Sequence, residues 1–388
     1  IAWIMLHTFY KKILRDDYWL VSEKRTEARD NGYHMYKYLH KDLKIGKSYY
    51  AIEGTASDAK KINDIGGMIE YNSLMHCMLY MGAKYLLYCQ IDSRPFEEVR
   101  GIQRLDFFCR KNQVRTYLKH GIAKDDIPNA YDYRLAGYDI FICGAKPEYE
   151  YYKKRYSYPE TNIAYTGLCR YDSLIDCAKG NTCLIMPTFR EWLRTTDSTK
   201  KMANDEEKKR MMQSDYFRNY IELLNDEELI EICREKAINI FFYIHYTLQP
   251  YVGLFEKNVK NPFVKICRRE DFDVQKLMLD CRVMVTDYSS VAFDFAYMGK
   301  PIVYYQFDFE RYRKEHYKEG YFKYETDGMG PVLINRKDVV KWIDAKFDKN
   351  SCKIEISGEY KNRRDAFFVF KDRNNCRRVY EFIMRYKK

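Results

Sequence analysis

At 388 residues the chain has room for two or three domains of roughly 150 residues each. A hydrophobic content of 46% with 32% charged residues excludes a mostly disordered chain, and only 18 Gly and 9 Pro exclude collagen-like or low-complexity architecture. Lys and Arg number 67 against 56 Asp and Glu, and the net charge of +11 points to an anionic partner: a nucleotide, a phosphopolymer, a membrane surface or nucleic acid.

The first segment, IAWIMLHTFYKKILR (1–15), is apolar and then basic, without the regions of a signal peptide. Beginning at Ile1 rather than Met, the sequence reads as an excerpt of a longer polypeptide. Lys11, Lys12 and Arg15 are expected to favour an anionic leaflet. No apolar run approaches the roughly 20 residues of a membrane span. Strand-length apolar runs follow at 18–22, 49–52, 85–89, 114–118, 140–143 and 163–166. A second set lies at 183–186, 238–244, 264–266, 283–285 and 302–305, with helical patterns at 217–224, 227–236 and 273–279. Strands alternating with helices predict parallel α/β sheets. The charged stretch 194–210 reads as a solvated loop or insertion. The chain ends in a helical pattern with Val379, Phe382 and Ile383 on one face. A boundary is expected near 167–178, giving domains at 1–170 and 171–388, the second including the C-terminal helix. Twelve scattered cysteines, with no C-x-x-C, read as reduced packing residues rather than disulfides or a zinc ribbon.

Four polar groups stand just past the carboxyl ends of predicted strands. His120 and Gly121 follow one, Thr188 and Arg190 another, His245 a third, and Asp287, Ser289 and Ser290 a fourth. In a parallel α/β fold that edge lines the ligand crevice. Residues 281–308 read strand, tight loop, helix, turn at Gly299, strand, so Ser289 or Ser290 is placed to cap the helix and to meet a phosphate. Thr188 and Arg190, two residues apart, could hold a phosphate by charge-assisted hydrogen bonds. A histidine near its ordinary pKa of about 6.5 can take a proton from a hydroxyl.

These blocks carry a resemblance. WLVSEKRTEARDNGYHMYKYL (19–39), YLKHGIAKDDI (117–127), DIFICGAKPEYEYY (139–152), TGLCRYDSL (166–174) and MPTFREW (186–192) lie in the first half. FFYIHYTLQPYV (241–252), TDYSSVAFDFAYMGKPIVYYQFD (286–308) and HYKEGYFKYETDGMGP (316–331) lie in the second. In this order they resemble the CDP-glycerol glycerophosphotransferase family, enzymes that build teichoic-acid and related capsular polyol-phosphate polymers. The resemblance implies a glycosyltransferase-B-like α/β fold: two Rossmann-like domains facing a cleft, acceptor side first and donor side second. It implies His120 as catalytic base and His245 as a second essential histidine. Gly121, Thr188, Arg190, Asp287, Ser289, Ser290 and Asp327 fall in the substrate-binding set. The chain departs at Ile122 and Ala123, where members often read Thr-Pro after HG, and at Tyr246 and Cys169, where Pro is common.

The implied reaction moves a polyol phosphate, glycerol phosphate first, from a CDP-polyol to a hydroxyl of a growing polymer, with CMP leaving. A ribitol-phosphate transferase and a sugar-nucleotide glycosyltransferase on the same fold stay open as alternatives. The expected partners are the CDP-polyol donor, a polyol-phosphate or glycan acceptor that can be lipid-linked, and an anionic membrane surface on the cytoplasmic side. No cofactor, no metal and no nucleic acid are expected. No basic repeat, zinc finger or aromatic ribonucleoprotein motif supports nucleic-acid binding.

Overall fold

The computed structural model describes residues 2–8, 16–90, 95, 108–195, 202–347, 356 and 358–388. Lys11, Lys12 and Arg15 therefore lie outside the described residues. The first sheet contains β1 (Trp19–Ser22), β2 (Ser48–Ile52), β3 (Met68–Glu70), β4 (Tyr85–Tyr88), β5 (Val114–Tyr117), β6 (Ile140–Cys143) and β7 (Ile163–Tyr165). The second contains β8 (Asn181–Ile185), β9 (Ile238–Phe242), β10 (Val264–Ile266), β11 (Val283–Thr286), β12 (Ile302–Tyr305) and β13 (Val332–Leu333). Strand order is β3-β2-β1-β4-β5-β6-β7 in one and β10-β9-β8-β11-β12-β13 in the other. Every ladder is parallel. Each sheet grows outward from its first strand in both directions. The order therefore reverses between β1 and β4 and between β8 and β11, and such reversals open a crevice at the strands' carboxyl ends.

Parallel sheets covered by helices bury both faces, which is why the strands read as continuous apolar runs. β1, β6, β11 and β12 are buried at every position. All eleven predicted strands are present. β3 and β13 escaped the sequence reading. They are three and two residues long, lie at sheet edges, and contain no buried residue. An edge strand with half-exposed side chains needs no apolar run.

Clustering by contact divides the chain into two compact units. The first comprises Ile1–Ala123, Ile127–Ser173 and Phe367–Lys388, the second Lys124–Asp126 and Leu174–Ala366. This corrects the expected place of the C-terminal helix, which belongs to the first unit. Helix Asn375–Arg385 buries Val379 and Ile383 in the core that holds Trp19, Val21 and Ile140. The carboxylate of Asp172 caps it, accepting the Asn375 and Cys376 N–H groups at 2.8 Å each. The apolar face of the helix was visible in the sequence, but any core of the right shape could have received it. The segment 124–126 goes the other way: Asp125 pairs with Arg313 (2.7 Å), and the Asp126 N–H donates to the Lys318 carbonyl (3.1 Å).

A second correction concerns the charged stretch. Residues 196–201 are outside the described set, but Asp205–Met212 is a helix, not a loop. Asn204 and Glu207 form a reciprocal capping box, 2.8 Å in each direction. Acidic residues in the first turn and Lys209 and Arg210 in the last match the helix dipole. Further on, Gly299 takes φ +80°, a conformation that favours glycine, at the turn read from the sequence.

Candidate functional site

In the second unit the reversal point brings Thr188 and Arg190, after β8, against Asp287, after β11. The Thr188 N–H donates to the Asp287 carboxylate at 2.8 Å. Arg190 is fully buried. Its fork donates to both oxygens of Asp308, 2.7 and 3.0 Å, and to the Thr188 carbonyl, 2.8 Å, and it pairs with Asp287 at 2.9 Å. The rings of Tyr216, Tyr288 and Tyr312 lie 4.9–5.3 Å from the guanidinium. Burial opposes that charge, yet Asp287 and Asp308 outweigh it and hold the Arg190 pKa well above its ordinary value. Arg190 was expected to present its guanidinium to a phosphate; in the structure the carboxylates of Asp287 and Asp308 occupy its fork. Asp287 is likewise buried, and receives the Tyr288 N–H besides those of Thr188 and Arg190. These groups form a buried ionic knot under the crevice.

What the knot leaves over is the Thr188 hydroxyl. Thr188 is 7% exposed, and its Oγ1 is buried without a hydrogen-bond partner. Such an orphan at a strand's carboxyl edge is a group in want of a ligand atom. Ser289 and Ser290 stand beyond β11. The Ser289 hydroxyl accepts the Val291 N–H at 3.4 Å, while Ser290 is exposed and makes no side-chain cap on the helix Val291–Tyr297. Asp327 is not brought to this group. Its carboxylate accepts the Lys323 N–H at 2.8 Å within its own turn.

His245 follows β9 and is half-buried. Its ring lies 4.8 Å from that of Phe189, which in turn lies 4.6 Å from that of His316. The His245 Nδ1 accepts the Thr247 N–H at 3.3 Å. A neutral ring that accepts at Nδ1 carries its proton on Nε2 and so offers a donor there. His316 was passed over in the sequence reading. Both its ring nitrogens are buried without partners, and burial, with Arg190 nearby, lowers its pKa to about 4.

The first unit arranges His120 in the opposite sense. Its side chain is 66% exposed, and Nδ1 lies 2.5 Å from the Asp30 carboxylate. Asp30 also pairs with Arg170 at 2.7 Å. Arg170 reaches the His120 carbonyl, and Asn31 donates to the Lys119 carbonyl at 2.8 Å. Lys119, at φ +68°, buries its amine against Glu148, which also accepts the Ala123 and Gly144 N–H groups. The loop carrying His120 and Gly121 is thus pinned on both sides. Burial works against ionisation of Asp30, but His120 and Arg170 hold its carboxyl below the ordinary value. In return Asp30 raises the His120 pKa. Behind Asp30, Glu23 is buried and accepts the N–H groups of Arg29, Asp30 and Tyr33. Burial and the Asp30 charge push it up to about 7.

With Nδ1–H donating to a carboxylate, Nε2 of His120 keeps its lone pair and is the basic nitrogen. Asp30→Asn is expected to return the His120 titration, followed by proton NMR of the ring, from above about 6.5 towards that value. An unmoved titration would show that Asp30 does not set it.

Residues 4–385 match the profile of the CDP-glycerol:poly(glycerophosphate) glycerophosphotransferases. The chain belongs to this family. Among relatives, it is 31% identical over 384 residues to the minor teichoic acid biosynthesis protein GgaB of Bacillus subtilis, covering 98% of this chain and 41% of the relative. It is 22% identical over 254 residues to the teichoic acid glycerol-phosphate primase of Bacillus subtilis, covering 64% of this chain and 58% of that one. The family chain described here thus spans only part of the length of these relatives. The solved wall teichoic acid polymerase TagF superposes with a TM-score of 0.65 at 16% identity, covering 95% of this chain and 87% of that one. A UDP-N-acetylglucosamine 2-epimerase, described as putative, from Listeria monocytogenes gives 0.57 at 14% identity, covering 95% and 96%. At such identities these structures speak for the fold, the glycosyltransferase-B-like α/β class.

Asp30, Arg170, Asp308 and His316 are among the polar residues of these clusters that sequence reading did not single out. Each lay inside a family-like block, in RDNG, LCRYD, QFD or HYKEG. No spacing rule sets them apart from surface charges.

Proposed function

We propose that this chain transfers a polyol phosphate, glycerol phosphate first, from a CDP-polyol to a hydroxyl of a teichoic-acid-like or capsular polymer. The observation that carries the reading is His120 in a chain of this family: an exposed imidazole, backed by an ionised carboxylate, with its basic nitrogen outward. The acceptor oxygen attacks the β-phosphorus and its proton passes to Nε2 of His120. The bond from phosphorus to the bridging oxygen breaks, CMP leaves with the electron pair, and a phosphodiester forms. General-base help is worth about 10²–10⁴-fold. The Nε2–H of His245 and the hydroxyls of Thr188, Ser289 and Ser290 suit the diphosphate oxygens, as donors aimed at growing negative charge. Arg190 and Asp287 shape the wall that holds Thr188.

In this reading the acceptor is lipid-linked and the protein is peripheral on the inner face of the membrane. Among the described residues no helix is long and apolar enough to cross a membrane.

The test is incubation with CDP-glycerol, CDP-ribitol and a UDP-sugar, each with a polyol-phosphate acceptor, and phosphorus NMR of the products. A new phosphodiester with CMP is expected. A glycosidic product from the UDP-sugar alone would replace the reading by that of a glycosyltransferase. Ser289→Ala with Ser290→Ala is expected to weaken CDP-glycerol binding in calorimetry by about tenfold or more, since hydrogen bonds to charged groups contribute roughly 1.5–3 kcal/mol each. Unchanged affinity would remove the serines from the donor site.

A further inference from the structure

We propose that His316 binds a hydroxyl group of the CDP-polyol donor. The inference rests on the donor reading above and adds to it a residue outside the set the family resemblance implies. His316 ends the helix Phe309–Glu315. Its backbone N–H donates to the Tyr312 carbonyl at 3.0 Å, and the Tyr312 N–H donates to the Asp308 carbonyl at 2.9 Å. Asp308, Tyr312 and His316, four residues apart, therefore share one helix face. That face is fastened to the buried ionic knot. Asp308 takes the fork of Arg190, and the Tyr312 ring stacks on that of Tyr288 at 3.7 Å. One turn further on, the His316 ring stacks on Tyr312 at 4.6 Å. The contacts that hold Arg190 thus also fix the place of this imidazole.

Two further rings pack on it edge to face, Phe189 at 4.6 Å and Tyr317 at 4.2 Å. These contacts account for the ring and not for its nitrogens. Among the described residues neither Nδ1 nor Nε2 has a hydrogen-bond partner, and both atoms are buried. Burying polar atoms unpaired costs free energy that an apolar ring of the same shape does not lose. A phenylalanine would fill the slot and keep the stacking. Packing alone therefore does not call for histidine, whereas a site completed by a ligand does. Phe189 links the ring to the donor groups. It directly follows Thr188, whose hydroxyl is also unpartnered, and its ring lies 4.8 Å from that of His245.

The chemistry of the ring selects the ligand group. Burial, with Arg190 nearby, keeps His316 neutral at neutral pH. A neutral imidazole offers one N–H and one lone pair. A phosphate oxygen only accepts, so it suits the N–H and opposes the lone pair. A hydroxyl donates and accepts, and suits either nitrogen in either tautomer. The rings around His316 leave it no open face on which to stack a cytosine. The donor carries hydroxyls in two places, the polyol and the ribose.

The test is calorimetry of His316→Phe with CDP-glycerol and with CDP, which lacks the polyol, beside thermal melting. Affinity for CDP-glycerol is expected to fall about tenfold. The melting temperature should stay or rise, because an unpaired buried polar ring gives way to an apolar one. An unchanged CDP affinity assigns the bond to a polyol hydroxyl, and an equal fall for CDP assigns it to the ribose. Lys314→Gln, exposed on the same helix, should leave both affinities and the melting temperature as they were. An unchanged CDP-glycerol affinity in His316→Phe would overturn the proposal and leave the ring to ordered water, while the donor reading stands. Weaker binding together with a lower melting temperature would also overturn it, in favour of a packing role. If the parent binds neither CDP nor CDP-glycerol, the donor reading falls and the proposal with it.

Discussion

His120→Ala is expected to lower turnover by about 10²-fold or more while CDP-glycerol still binds. An alcohol is a poor nucleophile at neutral pH, so losing the group that takes its proton raises the barrier without touching the donor. The pH profile gives an independent reading. The base must be neutral to act, and Asp30 raises the pKa of His120 above its ordinary value. The acid limb of kcat/KM is therefore expected above about 6.5. Activity rises with pH through that limb and is lost below it. The variant should lose the limb along with the rate. His245→Ala should behave differently. Its Nε2–H is a donor, so its loss should weaken donor binding as well as slow the reaction. Near-normal turnover of His120→Ala with the true acceptor would move the base to His245.

Arg190→Met should destabilise the second unit by about 3–5 kcal/mol, because it leaves the buried carboxylates of Asp287 and Asp308 facing each other without their cation. That is a large part of the roughly 5–15 kcal/mol by which folded proteins are stable. A much lower melting temperature or insoluble protein is the expected outcome. Arg190→Lys should fall between, since one ammonium cannot reproduce the two parallel bonds to Asp308 together with those to Asp287 and the Thr188 carbonyl. The alternative, a guanidinium that grips the donor diphosphate, predicts the reverse pattern. Arg190→Lys would then melt like the parent and bind CDP-glycerol poorly.

The sequence by itself determined the α/β class, eleven of the thirteen strands, and the placing of two histidines, a threonine and two serines beyond strand ends. Those features are local. A buried parallel strand must be an apolar run, and a polar residue directly after it must stand at the carboxyl edge. Only the tertiary structure decided the pairings. Asp30 and His120 are 90 residues apart, and Arg190 and Asp308 are 118 apart. Whether an arginine after a strand turns outward to a ligand or inward to a carboxylate depends on what the other strands bring to the same point. The C-terminal helix shows the same limit: its apolar stripe was written in Val379 and Ile383, while the core that received it was set by Asp172 and Trp19, some 200 and 360 residues earlier. Local pattern sets what a segment buries, and long-range packing selects the partner.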